Sequence, residues 1–173
     1  MRYAPHPNNE TIPGCKNFTW GEVTKNGTRP IQASSQGGRK LTARQVEDNV
    51  INIATWLQRL RNELQLRAKR RSFSIHVTSW FRPPAVNRDI GGASASHHLG
   101  GGAVDFYLVD WTPEEVVDAL FDIGFPGGVG VSISATGWFI HIDLGARRAW
   151  NYNGSARSVK VLEYIKKRMG QWR

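Results

Sequence analysis

Hydrophobic positions along the chain follow two spacings, and the spacings separate its helices from its strands. Apolar residues recur at Val46, Val50, Ile53, Leu57, Leu60 and Leu64, in alternating steps of four and three. That rhythm keeps one stripe of a 3.6-residue helix apolar. Thr42 followed by Gln45 has the form of a capping box, so the pattern predicts a helix running to about Leu66. Its polar face carries Arg44, Arg59, Arg61, Arg67, Lys69, Arg70 and Arg71, read as a solvated face. Residues 73–80 alternate instead with a period of two and are rich in β-branched types, which predicts a strand. Phe81-Arg82-Pro83-Pro84 ends it, because the prolines stop pairing and lock a loop.

A Gly/Ala/Ser-rich loop follows over 87–96, then a second strand over 102–108. Thr112-Pro113-Glu114-Glu115 is a helix start, with proline at the first helical position and an acidic first turn. Val116, Val117, Leu120, Phe121 and Ile123 supply its apolar face, and Gly124 stops it. Residues 128–133 and 138–144 read as two strands joined by the turn Ser134-Ala135-Thr136-Gly137. The tail 155–173 predicts a last helix with Val159, Val161, Leu162, Ile165 and Met169 on its apolar side. His76 falls mid-strand and is expected to be packed or on the surface rather than a ligand. Residues 1–40 are rich in Pro, Gly, Asn, Ser and Thr, and predict a mostly irregular arm packed on a single domain at 41–173. Within the arm, Phe18-Thr19-Trp20 and Val23 are expected to dock on the core. The order of elements is α+β: a small, mainly antiparallel sheet with flanking helices.

Composition narrows the chemistry. The single cysteine, Cys15, excludes an intramolecular disulfide and a Cys-rich metal framework, and reads as an incidental thiol near the N-terminus. Any transition metal would therefore be held by His and carboxylate. No apolar run reaches the length of a membrane span, and the first ten residues carry no hydrophobic signal core. Lys and Arg number 23 against 14 Asp and Glu, a net charge of +9. That favours a polyanionic partner: nucleic acid, anionic lipid or an acidic wall polymer. No nucleic-acid motif accompanies the charge, so a nucleic-acid partner is not expected. Lys160, Lys166, Lys167, Arg168 and Arg173 near the C-terminus read as a solvated face.

The candidate chemistry lies in two stretches, residues 96–105 and 138–144. His98 and Asp105 are seven residues apart, with Gly100, Gly101 and Gly102 between them. Three consecutive glycines argue against a continuous helix and for a loop returning into a strand. His141 and Asp143 are two apart on the last strand, so they share a face. His98, Asp105 and His141 are the residue types of a catalytic zinc site with three protein ligands and an open position. The spacing alone equally permits Asp105 as a cap or bridge, and His98 and His141 as satisfied core histidines.

Ser96-x-His98-x-x-Gly101-x-Ala103-x-Asp105 resembles the signature of the zinc D-Ala-D-Ala carboxypeptidase and murein endopeptidase family. Residues 139–145, followed by Arg147-Arg148-Ala149-Trp150, resemble the end of the site in one branch of it, and residues 78–87 resemble an upstream stretch. The likeness runs over about 73–150. It implies a hedgehog/DD-peptidase-like fold, with zinc held by His98, Asp105 and His141. Arg82 would bind the substrate carboxylate or steady the oxyanion, and Ser96 would support the site. The zinc would polarise the scissile carbonyl and activate water, and the substrate would be the peptide part of bacterial peptidoglycan, cut at a D-amino acid. Several members place an acidic residue three positions before the last histidine. That position here is Trp138, so the general-base role falls to Asp143, with His97 the weaker alternative. The rival is an inactive zinc-binding interaction module on the same scaffold, because the hedgehog signalling domain resembles this family and works by binding. Trp80, Phe81, Trp138 and Trp150 are expected in the core or at a rim. The protein is expected to act on the cell wall as a monomer, periplasmic or phage-released, without a signal peptide of its own.

Overall fold

The computed structural model describes residues 5–171. The expectations made for the first four residues and for Arg173 lie outside them. The chain divides into two compact units, each built from two stretches: residues up to 58 with 79–104, and residues 59–78 with 105 onward.

In the first unit the described part of the N-terminal stretch, expected to be mostly irregular, carries several short elements. These are β1 (Thr11–Ile12) and β2 (Cys15–Thr19), an antiparallel pair, then α1 (Trp20–Thr24) and a hairpin of β3 (Ser34–Gln36) with β4 (Arg39–Leu41). The sequence did not show them because these elements are too short to display a period, whereas Phe18, Trp20 and Val23 are buried as expected. Thr19 and Glu22 form a capping box that starts α1 after a single turn's warning. Ile12, Cys15, Phe18, Trp20 and Val23 are each at most 1% exposed, so the segment is core. Cys15 is thus a buried structural residue, and burial pushes its thiol up from the ordinary range despite a hydrogen bond with Thr55.

Helix α2 (Ala43–Arg67) fulfils its expectation. The Thr42 backbone N–H donates to Gln45 Oε1 at 2.9 Å, and the Gln45 N–H donates to Thr42 Oγ1 at 3.2 Å. All six periodic apolar residues are fully buried. Trp80 and Phe81 are buried as well, and Trp80 meets Phe18 edge to face at 6.3 Å. The prolines do more than lock a loop. Pro83 caps α3 (Pro84–Asp89) and Pro84 opens it, where its missing N–H costs nothing.

The second unit is organised on a five-stranded sheet in the order β5-β6-β8-β7-β9. Its strands are β5 (His76–Ser79), β6 (Ala103–Tyr107), β7 (Gly128–Ser134), β8 (Gly137–Asp143) and β9 (Ala149–Asn151). The first residues of β6 and the last of β5 belong to the other unit. β5 begins three residues later than expected, because the Ser72 carbonyl is taken by the Trp111 indole N–H and Phe73 lies under the Arg61 guanidinium. β7 and β8 are antiparallel, whereas β9 joins β7 in parallel and gave no sequence signal at three residues.

Alternation sorts the sheet's faces. Val104, Phe106, Val129, Val131, Ile140 and Ile142 are fully buried on one. Helices α4 (Pro113–Asp122) and α5 (Ala156–Gly170) pack on the sheet with Val116, Val117, Leu120, Phe121, Val161 and Ile165 inward. Val159 is 43% exposed rather than inward, and Ser158 takes the buried place, its hydroxyl accepting from the Ile133 N–H. Nor are all the arginines solvated. Arg59 donates to the Ile123 carbonyl, Arg67 pairs with Glu63 and Asp122, Arg71 with Glu115, and Arg168 with Asp118 and Asp122. Among the described residues no helix is long and apolar enough to cross a membrane.

Candidate metal centre

His98 sits in a one-turn 3-10 helix, His97–Gly100, which ends on Gly101 at φ +75°. This turn is held from several sides within its own unit. Asn49 of α2 donates to the Gly100 carbonyl at 2.9 Å, and Gly101 packs against the Val46 carbonyl, where a Cβ would come within 2.7 Å. Gly37, at the tip of the β3–β4 hairpin, donates its N–H to the Ser94 carbonyl at 2.8 Å, and the buried Asn87 amide donates to the carbonyls of Gly92 and Ala93. The glycine-rich loop is therefore a tethered structure. It leads into the turn that carries His98.

The His98 imidazole is buried, and its Nδ1 lies 2.6 Å from the Trp80 carbonyl oxygen. A carbonyl only accepts, so Nδ1 carries a proton, and in the neutral ring Nε2 is then the acceptor nitrogen. This is the tautomer of a metal ligand steadied by the backbone. Arg82 is tied to the same place: its N–H donates to the His98 carbonyl at 3.0 Å, and its Nε donates to Ser79 Oγ at 2.8 Å. Ser96 caps the turn by position, without a side-chain capping bond.

On the sheet, Asp105 lies on β6 and His141 and Asp143 on β8, all on the face opposite the apolar residues that the helices cover. His141 Nδ1 lies 2.7 Å from Asp105 Oδ1, and Nε2 lies 3.1 Å from Asp143 Oδ2. All three residues are buried. Burial disfavours the imidazolium, but hydrogen bonds and charge from Asp105 and Asp143 outweigh it, so His141 holds a proton above the usual imidazole range. The surroundings of this ring favour a positive charge. Either a proton or a cation answers that demand.

His98, Asp105 and His141 each offer one ligand atom, and these atoms all lie within 4.8 Å of one another. Two imidazoles and a carboxylate, buried and with the His98 tautomer fixed, suit a borderline ion. The family model described as Peptidase M15 matches residues 26–143, more than half of the chain. The chain belongs to peptidase family M15. No curated protein was found to match it.

Membership supports a metallopeptidase, and the His-Asp-His cluster is a possible metal site. Among the other residues singled out in the sequence, Trp80 and Phe81 are core, whereas Trp138 and Trp150 are half-buried. His76 is exposed at the start of β5 and stacks on Tyr107 at 5.0 Å. Sequence reasoning missed Asn49, Asn87 and the hairpin tip at Gly37, since nothing local marks a long-range tether. It also missed the pairing of Arg148 with Asp143. The signal that could have found it is the pair Gly128-x-Gly130 facing His141-x-Asp143 across the β7–β8 hairpin.

Proposed function

We propose that this protein is a zinc peptidase that hydrolyses the peptide moiety of bacterial peptidoglycan at an amide beside a D-amino acid. The observation that carries the reading is the group of His98, Asp105 and His141, whose ligand atoms lie within 4.8 Å of one another, with His98 Nδ1 committed to the Trp80 carbonyl so that Nε2 is the atom it would offer an ion. His98, Asp105 and His141 would hold the ion. Zinc in such a site polarises the scissile carbonyl and lowers the pKa of water, the chemistry that amide hydrolysis needs. Arg82, braced by Ser79 and by the backbone of His98, would take the terminal carboxylate or the developing oxyanion with its fork of donors. Ser96 would support the turn that carries His98. The net charge of +9 suits the acidic polymers of a wall, and the protein would act on that side of the membrane.

A zinc-binding interaction module remains the second reading, favoured by Trp138 three residues before His141 and by Asp143, whose oxygens are engaged by His141, Arg148 and the Gly145 N–H. Metal content and release of muropeptides, measured together on the wild type and on His141→Ala, separate the two. One zinc per chain, with products that vanish in the variant, is the expected outcome and identifies the bond cut. Zinc without products supports the binding module. A wild type that takes no zinc after it is added back would overturn both.

A further inference from the structure

Asp143 is the charged residue of the site with least contact with solvent, at 1% exposed, and a buried carboxylate must be compensated. The Gly145 N–H, His141 and Arg148 contribute to this. The Gly145 N–H donates to Oδ1 at 2.8 Å, His141 Nε2 faces Oδ2, and Arg148 spans both oxygens, with Nη2 2.7 Å from Oδ2 and Nη1 3.3 Å from Oδ1. These contacts occupy the acceptor positions that a general base would need to keep open. Arg148 is itself seated, its guanidinium lying 4.6 Å from the centre of the Trp150 ring.

The strand register explains how these groups come together. Gly130 pairs with His141 on one side and with Trp150 on the other, so Trp150, Gly130 and His141 form a row across three strands. A Cβ on Gly130 would lie 2.6–2.9 Å from three atoms of the indole. The ring therefore rests on bare backbone, and it meets the His141 ring at 5.1 Å and 62°. One pair along, Gly128 faces Asp143, and a Cβ there would lie 2.8 Å from Asp143 Oδ1 and 2.9 Å from Arg148 Nη1. Two glycines, two apart on one face of β7, vacate the space in which Arg148 and Trp150 reach the His141–Asp143 pair. Both Arg148 and Trp150 lie beyond the residues the family model matches.

We infer that Arg148 and Trp150 are positioning residues that hold Asp143 on His141 Nε2, so that the ring turns its Nδ1 to Asp105. Asp143 is then a holder of His141 rather than the general base. Arg148 supplies a permanent charge and a two-oxygen grip, and Trp150 blocks rotation of the His141 ring while stacking on the guanidinium. The role of Nδ1 as a metal ligand rests on the zinc reading, but the orientation of the ring does not.

The test uses the whole chain and the variants Arg148→Ala, Arg148→Lys and Gly130→Ala, with the backbone amide spectrum as the check on folding. The first readout is the ring N–H of His141 in 15N-edited spectra of the metal-free protein, assigned by its loss in His141→Ala. The second is zinc affinity by competition with a chromogenic chelator. The wild type is expected to show a slowly exchanging Nε2–H. Arg148→Ala should lose it and bind zinc about 10–100-fold more weakly. Arg148→Lys should fall between, because lysine restores charge without the fork. Gly130→Ala, which displaces Trp150 while keeping the Arg148 side chain, should also lose the slow exchange. If folded Arg148→Ala keeps both the Nε2–H and wild-type affinity, the inference is overturned. If the wild type binds no zinc but the N–H still depends on Arg148, the positioning role stands and the zinc reading fails.

Discussion

At Gly101 the backbone φ is +75°, and a Cβ would lie 2.7 Å from the Val46 carbonyl oxygen and 2.8 Å from Val50 Cγ2. Both obstacles belong to α2, whose backbone cannot give way locally. Gly101→Ala should therefore destabilise the protein by about 1–3 kcal/mol, combining φ strain with overpacking. Urea unfolding should show this, with Gly154→Ala as the control. Nothing lies within 4 Å of a Cβ there, so its change should stay within about 0.5 kcal/mol. Equal effects at the two sites would show that Gly101 is not held as described. At this scale the sequence exposes residues whose type is rare in its setting. His98, Asp105 and His141 were legible because a glycine-interrupted His…Asp pair and a His-x-Asp strand are chemical patterns. The partners that fix them were not, because a carbonyl such as that of Trp80 has no signature, and Arg148 is one cation among many.

Helices α4 and α5 meet through Tyr164, whose hydroxyl donates to Asp118 Oδ1 at 2.7 Å. Burial and the adjacent Asp118 push the phenol up to about 12. Its folded pKa lies above its unfolded value of about 10, so the contribution to stability is complete below that pH and is lost as pH rises through about 12. Tyr164→Phe should flatten the fall in stability over that window, which chemical denaturation in alkaline buffers would detect. The opposite sign applies to Asp122, held below the usual carboxylate range first by its hydrogen bond with Arg67 and then by Arg168. That contribution is present above an unfolded pKa of about 3.9 and disappears as pH falls through the lower folded value. Asp122→Asn should remove part of the acid sensitivity, and an acid limb identical to wild type would contradict it. Elements with caps and several turns were readable: α2, α4, α5 and the β7–β8 hairpin fall where periodicity and capping residues put them. β1–β4 and β9 escaped because two to five residues cannot display a period, and only contacts distant in sequence make them strands.

For the whole molecule, a bound ion that the unfolded chain holds poorly adds stability by mass action, about 4 kcal/mol at a free concentration a thousandfold above Kd. Calorimetry should show the zinc-loaded protein unfolding at a higher temperature, with the gain erased by a chelator. In His141→Ala the chelator should change nothing. The α+β class was legible from the order of patterns. The division into two discontinuous units was not, because its boundaries fall inside α2, β5 and β6, where no composition shift marks a linker.

The Cys15 side chain is 1% exposed, its thiol raised by burial, and it is the single cysteine of the sequence. A thiol reagent can therefore reach the chain only when the β1–β2 segment opens. The rate of labelling of the natural protein becomes a clock for that opening, recorded as one mass increment at one known position. No engineered probe is required, and the same clock can be run at any pH or metal concentration.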